Sequence, residues 1–451
     1  MLSFPERNDL QLSDIIFSAA SQQISRFERE ATRSRLSTRS RLHSIAHDAE
    51  FVQQVAELFS LPLIANERCG SWYVAPPAKK GSVYFKSTDG HAGQWSLSLR
   101  RLNLNLLELI ALQRGCIIVD STRRGKSMPD ALSKTVPIWI AVWNRLLFPA
   151  NQEACTLRTP SDVVGASEHS QIEQRLDKLV DDLKSLDLDL EAIRKSLQKP
   201  LRPTWVTQSS GVSGMDLDES FYHVILCTAS GRDAGQDVSG FNYVQGAADD
   251  AEAWALGLTP QLFWEHKDTL LESSEDDLPA LITSLVSEED NNESTEAPIL
   301  IKPTQLLIGT TASTIPQDCT LIITCSPTPP TSPTPSSPTK TLHLPLPPGK
   351  LGSRALRHLL PQLPLFLNPH LSPTAKTLIT CPSGKDHSIG VALCVLCLFA
   401  TTDGTLHKDT DNASHMNKDF IKRRLSWIMA SIPSANPSRA TLQSVNAYLL
   451  G

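Results

Sequence analysis

Residues 381 to 388 read Cys381-Pro382-Ser383-Gly384-Lys385-Asp386-His387-Ser388. They follow the short apolar run Leu378, Ile379 and Thr380 and open the apolar segment Ile389 to Ala400, the pattern of a strand, a tight loop and a buried helix. Such a loop turns successive backbone N–H groups inward and aims a helix N-terminus at the same point, which makes it a seat for a phosphate. If a thiolate here attacked phosphomonoesters it would be Cys381, and the reaction would need an arginine at position 387 to clamp the phosphoryl oxygens bidentately. Position 387 is His, which lacks that fork of donors. The octapeptide is a phosphate cradle without phosphatase chemistry, or, on the plainer reading, a buried turn with no ligand.

A second group of charges surrounds Cys116-Ile117-Ile118-Val119-Asp120-Ser121-Thr122-Arg123-Arg124-Gly125-Lys126. A buried strand ends at Asp120, and Arg123, Arg124 and Lys126 then fall at its carboxyl end, where open α/β sheets bind ligands. Ser127 and Asp130 are placed to cap the following helix, with Pro129 near its first turn. Asp249 and Asp250, beside small residues, have two readings. Asp249 has the spacing of a helix capping box with Glu252, or the two carboxylates hold Mg²⁺ through water next to substrate phosphates.

The elements that must position these groups imply more than one domain, because 451 residues exceed one ordinary core. Leu10 to Ser60 reads as helical, with Arg26, Arg29, Arg33, Arg35, Arg39 and Arg41 in its middle. From Leu61 short strands and turns indicate an α+β or α/β core. Arg100 and Arg101 precede a Leu-rich helix there, and Lys134 follows the basic loop. Residues 168–198 carry Ile172, Leu176, Leu179, Leu183, Leu186, Leu190, Ile193 and Leu197 at alternating spacings of four and three, which predicts one long helix with a heptad seam. The seam suits packing against the parent domain or a coiled-coil dimer.

The net charge of −6 conceals an uneven distribution: residues 272–296 hold nine acids and no Lys or Arg, leaving the remainder net positive. This stretch reads as an acidic linker over 272–298. Residues 326–340, rich in Pro, Thr and Ser, read as a low-complexity insertion. The expected organisation is an N-terminal domain over 1–271 and a three-layer α/β domain over 299–451. The start of the chain lacks the apolar stretch of a signal peptide, and no apolar run reaches membrane-spanning length. Nine scattered cysteines predict free thiols rather than a disulfide framework or a zinc site.

Five segments resemble, in order, one family: Ala65 to Tyr73, Lys86 to His91, Asp120 to Lys126, Gln245 to Asp250 and Ser383 to Asp386. The sequence is similar to the fungal and plant initiator tRNA 2'-O-ribosyl phosphate transferases. The expected class of the whole chain is α/β plus α+β, and the resemblance implies a family-specific N-terminal domain followed by a C-terminal three-layer α/β domain like dual-specificity phosphatases. It implies transfer of phosphoribosyl from phosphoribosyl pyrophosphate to the 2'-hydroxyl of a T-stem adenosine in initiator methionine tRNA. Mg²⁺ is expected with the donor, in a cytoplasmic protein that meets neither DNA nor membrane. On that chemistry the loop of Ser383, Gly384, Lys385, Asp386, His387 and Ser388 holds the donor. Asp386 accepts the hydroxyl proton or binds metal, and Lys350 and Arg354 fall near the cradle. Arg100, Arg101, Arg123, Arg124, Lys126 and Lys134 are candidates for the tRNA surface. The rival assignment gives the donor to the 120–126 loop. A cysteine-type phosphatase and a non-catalytic tRNA-binding protein are the competing functions.

Overall fold

The computed structural model describes residues 37–87, 93–99, 101–123, 125–186, 188–210, 217–231, 237–238, 241–291, 297–329, 339–372, 375–408, 410, 412–432 and 434–451. In the N-terminal half, strands β1 (Leu63–Asn66), β2 (Lys79–Val83), β3 (Gly115–Asp120), β4 (Leu201–Thr207) and β5 (Tyr222–Thr228) lie in the order β2-β1-β3-β5-β4. All neighbouring pairs are parallel. Parallel neighbours require crossovers, so helices cover both faces and the central strands become apolar on both sides. In β3, Cys116 and Ile118 face a core containing Trp139 and Trp143, while Ile117 and Val119 face one containing Leu42, Val52 and Phe263. The carboxyl ends gather Asn66, Asp120, Thr207 and Thr228 along one edge. A short antiparallel pair, β6 (Asp237–Val238) and β7 (Phe241–Asn242), stands outside this sheet.

The second sheet comprises β8 (Ile299–Ile301), β9 (Leu306–Thr310), β10 (Cys319–Ser326), β11 (Lys340–Pro345) and β12 (Lys376–Cys381), ordered β11-β10-β12-β9-β8. Only β8 pairs antiparallel within it. Its central strand β12 delivers Cys381 to the loop, and the helix His387–Phe399 follows, buried on every face between the sheet and neighbouring helices. Helices hydrophobic all round belong in a core. The architecture is mixed α/β, in keeping with the expected class.

Three expectations are corrected. The 168–198 segment is three helices, Ala166–Glu173, Leu176–Lys184 and Leu190–Ser196. A straight helix of that length would extend about 46 Å. The breaks instead let Ile172, Leu176, Leu183, Leu186 and Leu197 wrap the domain's own core, and Asp189 restarts the helix by accepting from the Ala192 N–H at 2.9 Å. The acidic stretch is not a linker throughout, because the helix Leu278–Asn291 packs Leu278, Ile282 and Leu285 into the N-terminal core. Finally, Asp130 makes no side-chain cap. Residues 1–36, with Arg26, Arg29, Arg33 and Arg35, and 330–338 of the Pro/Thr/Ser segment lie outside the described residues.

Candidate active site

Cys381 is 1% exposed, with its Sγ 3.1 Å from Ser388 Oγ and 3.7 Å from Ser383 Oγ. Burial pushes this thiol up, but the Ser388 hydroxyl and the backbone N–H groups of Ser388 and Asp386, with Ser383, outweigh it and hold Cys381 below the ordinary thiol value. The loop therefore favours negative charge at its centre. His387, at the position an arginine would need, is buried, with its ring Nε2 3.4 Å from Ser353 Oγ. Ser353 belongs to the helix Gly349–Leu359, which packs so tightly here that a Cβ on Gly352 would lie 1.8 Å from Pro347 O and 2.7 Å from His387 Cε1.

Asp386 Oδ1 accepts from the Ser438 N–H at 2.8 Å and the Thr441 hydroxyl at 2.6 Å, and Lys385 O accepts from the Asn436 N–H at 2.9 Å. The turn before the last helix, Arg439–Leu449, thus straps the loop in place. One Asp386 oxygen is committed to this architecture. Lys385 and Ser383 are exposed on the loop, and Lys350 and Arg354 are exposed four residues apart on the helix behind it, hence on one face.

In the N-terminal domain Asp120 is fully buried and is satisfied from within. Its Oδ2 accepts from Asn66 Nδ2 at 2.8 Å and Arg68 Nε at 3.3 Å, and its Oδ1 accepts from Cys69 Sγ at 3.0 Å and the Ser121 N–H at 2.8 Å. Arg68 also pairs with Asp249 Oδ1 at 3.1 Å. Burial disfavours the Arg68 charge, but Asp120 and Asp249 more than restore it. Burial raises the Asp249 carboxyl despite Arg68, and nearby Asp120 adds to the shift.

The expected magnesium ligands do not fit. Asp249 faces the Arg68 guanidinium, a cation where the metal would sit, and Asp250 is exposed in a left-handed turn at φ 52°. Neither does the capping box form. Among the described residues no three His, Cys, Asp or Glu converge as a metal-binding group.

The expected tRNA cations divide. Lys126 and Lys134 both approach Asp130, at 3.3 and 3.7 Å, and Lys134 also pairs with Glu168 at 2.8 Å. Arg123 is exposed; Arg100 and Arg124 lie outside the described residues. Gly246 (φ +67°) holds the 243–250 segment against this loop, since a Cβ there would meet Thr122 O at 2.7 Å.

Arg101 leads elsewhere. It lines a cleft of about 520 Å³ between the domains, together with Glu67, Lys79, Tyr84 and, from the second domain, Lys385 and Asn436. Its guanidinium lies 3.5 Å from the centroid of the Tyr84 ring and donates to Asn436 Oδ1. Glu67, the carboxylate of this lining, accepts from the hydroxyls of Ser71 and Ser82 and from Lys79. Two asparagines fix the wall. Asn103 accepts from the Tyr84 N–H at 3.0 Å and donates to Tyr84 O at 3.3 Å, and Asn66 does the same for Phe85 at 2.7 and 3.1 Å. Sequence reasoning assigned no role to Glu67, Arg68, Tyr84, Asn66 or Asn103. The only signal for the first, second and fourth was their place in the unusual Ala65 to Tyr73 segment.

Comparison with known proteins covers both halves. Residues 31–287 match the family model described as the Rit1 N-terminal domain, and 340–449 match the Rit1 DUSP-like domain. A tRNA A64-2'-O-ribosylphosphate transferase of Saccharomyces cerevisiae is 33% identical over 95% of this chain and 95% of its own. An uncharacterised protein of Schizosaccharomyces pombe is 39% identical over 91% of this chain and 94% of its own. Among solved structures, a human tyrosine phosphatase-like serine/threonine/tyrosine-interacting protein aligns with 34% of this chain and 95% of its own, at 13% identity and a TM-score of 0.27. The Yvh1 phosphatase domain of Chaetomium thermophilum aligns over the same shares at 16% identity and 0.26.

Proposed function

The chain belongs to the Rit1 family, and from that premise we infer that it transfers a 5-phosphoribosyl group from phosphoribosyl pyrophosphate to the 2'-hydroxyl of a T-stem adenosine of initiator methionine tRNA. It is a transferase of the glycosyl type, acting on a tRNA. The observation that carries the reading is the loop at Cys381: its donors favour an anion, yet position 387 offers a histidine turned to Ser353 instead of an arginine. Such a loop suits gripping a phosphate and lacks the means to cleave one.

In the proposed reaction the acceptor 2'-oxygen bonds to the anomeric carbon, the bond from that carbon to pyrophosphate breaks with its electron pair, and the hydroxyl proton passes to solvent water or the departing pyrophosphate. The carbon passes through an oxocarbenium-like state, so catalysis consists of holding the phosphates and orienting a weak nucleophile. We assign a donor phosphate to the backbone of Ser383 to Ser388, with Lys385 adding charge, and the flanking charge to Lys350 and Arg354. Asp386, one oxygen being taken by Ser438 and Thr441, serves to fix the loop rather than to take the proton. Magnesium would enter with the donor's diphosphate, since Asp249 and Asp250 do not fit as its cage. The 381–388 loop is preferred over 120–126 for the donor because its hydroxyl and backbone donors favour an anion at Cys381. Among the described residues no helix is long and apolar enough to cross a membrane, and a cytoplasmic site of action suits a tRNA substrate.

The test is incubation of the full chain with labelled phosphoribosyl pyrophosphate, Mg²⁺ and either initiator or elongator methionine tRNA. Label is expected on the initiator alone. Absence of transfer, or hydrolysis of a generic aryl phosphate instead, would refute the reading.

A further inference from the structure

Tyr84 and Arg101 border two clefts. One is the inter-domain cleft that contains Lys385; the other, of about 530 Å³, is lined by Lys86, Gln94, Ser96 and Thr135 among others. The two linings share Tyr84 and Arg101 and nothing else, so a chain passing from one cleft to the other crosses this pair. The pair is rigid. Asn103 closes both backbone hydrogen bonds of Tyr84, Asn66 closes those of Phe85, and Asn66 is itself tied to buried Asp120. Arg101 is held against the ring face, where the aromatic quadrupole attracts its charge, and it reaches Asn436 across the domain boundary. Lys79, Arg101 and Lys385 bring three cations to the inter-domain cleft against Glu67. Glu67 already receives two hydroxyls and an ammonium.

We propose that the Tyr84–Arg101 wall is the acceptor subsite, where a backbone phosphate of the RNA strand lies on the Arg101 guanidinium and the adjoining nucleotide rests against Tyr84, bringing its ribose toward Lys385. An A-form stem is recognised through its phosphates and 2'-hydroxyls, and a guanidinium held on an aromatic face offers a phosphate a contact of fixed orientation. The inference rests on the transferase reading above and adds to it the place where the acceptor enters.

The experiment measures binding of initiator methionine tRNA to the full chain without donor, alongside steady-state transfer. Arg101→Gln and Tyr84→Ala are expected to weaken tRNA binding by about tenfold, with the KM for phosphoribosyl pyrophosphate unchanged. Tyr84→Phe, which keeps the ring, is expected to bind as the native chain does. Arg101→Gln should also reduce the slope of log affinity against log salt by about 0.7–0.9, the loss of one phosphate contact. Asn436→Ala removes the inter-domain hydrogen bond while leaving the wall, and it should keep tRNA affinity within about twofold. Native affinity in both Arg101→Gln and Tyr84→Ala would overturn the proposal. So would a raised donor KM in place of weaker tRNA binding, or Asn436→Ala reproducing the full loss, which would make Arg101 a domain joint. Circular dichroism checks that each variant folds, and the Arg101 variant decides if Tyr84→Ala does not. Failure of the native chain to transfer phosphoribosyl would refute the transferase reading, whereas the binding measurements read the subsite independently.

Discussion

At Cys381 the same hydrogen bonds that lower the thiol define what the residue is for. A thiol stabilised as an anion is normally a nucleophile, but attack on a phosphate needs an arginine at position 387, and His387 is packed against Ser353. Cys381→Ser is therefore expected to retain transfer, as followed by label incorporation into tRNA, and a trapped phosphocysteine in the native chain would contradict this. Lys385→Ala, removing a charged donor from the exposed rim of the loop, should lower transfer on the order of a hundredfold while leaving the melting curve unchanged. A different residue sets a pH dependence of stability. Asp48 is buried, and burial raises its carboxyl to about 6, against hydrogen bonds from Tyr243 and Gln208 and the nearby His47 ring. A folded-state value above the unfolded one favours the protonated fold, so this stabilisation is complete below about 3.8 and is lost as pH rises through about 6. Melting temperatures of Asp48→Asn across that window should show a flatter profile than those of the native chain.

At the scale of elements, the site depends on how the helix Gly349–Leu359 seats behind the loop. Gly352→Ala would drive a methyl into Pro347 O and His387 Cε1, and this overpacking is expected to cost about 1–3 kcal/mol in chemical denaturation and to reduce donor binding by shifting the loop. Much of this element-level design was legible beforehand. The apolar run into Cys381 and the buried helix after it predicted the strand, loop and helix that the structure contains, and the buried strand ending at Asp120 is β3. The failures have physical causes. In 168–198 the heptad spacing of leucines is real, but a core shared with Trp143 bends their path, and hydropathy carries no record of curvature. In 278–291 the acids hid a helical spacing, Leu278, Ile282 and Leu285, that buries into the domain. The asparagine clamps on Tyr84 and Phe85 join residues 19 apart through side chain and backbone, a contact that leaves no periodic trace.

Viewed as a whole molecule, the chain carries a net charge of −6 yet presents cations at the cleft where its domains meet, so local arrangement outranks the sum. Binding of tRNA to the full chain is accordingly expected to weaken steeply between about 50 and 200 mM salt, which a titration at several ionic strengths would measure; a flat response would argue against phosphate contacts. The N-terminal domain is closed by its own extremes: the first described helix, Thr38–Phe59, has its leading N–H groups at Thr38 and Arg39 bonded to Glu275, and its Leu42 and Ile45 share a core with Leu278 and Ile282. In a nascent chain leaving the ribosome this helix thus lacks the acceptor for its leading N–H groups and part of its core until the segment around 275–285 has emerged. The five parallel strands between them pair over shorter spans, Leu63 with Lys79 and Leu201 with Tyr222 among them. The first domain is complete only when synthesis has nearly reached the second, which makes the 275–285 segment the closing step of its biogenesis.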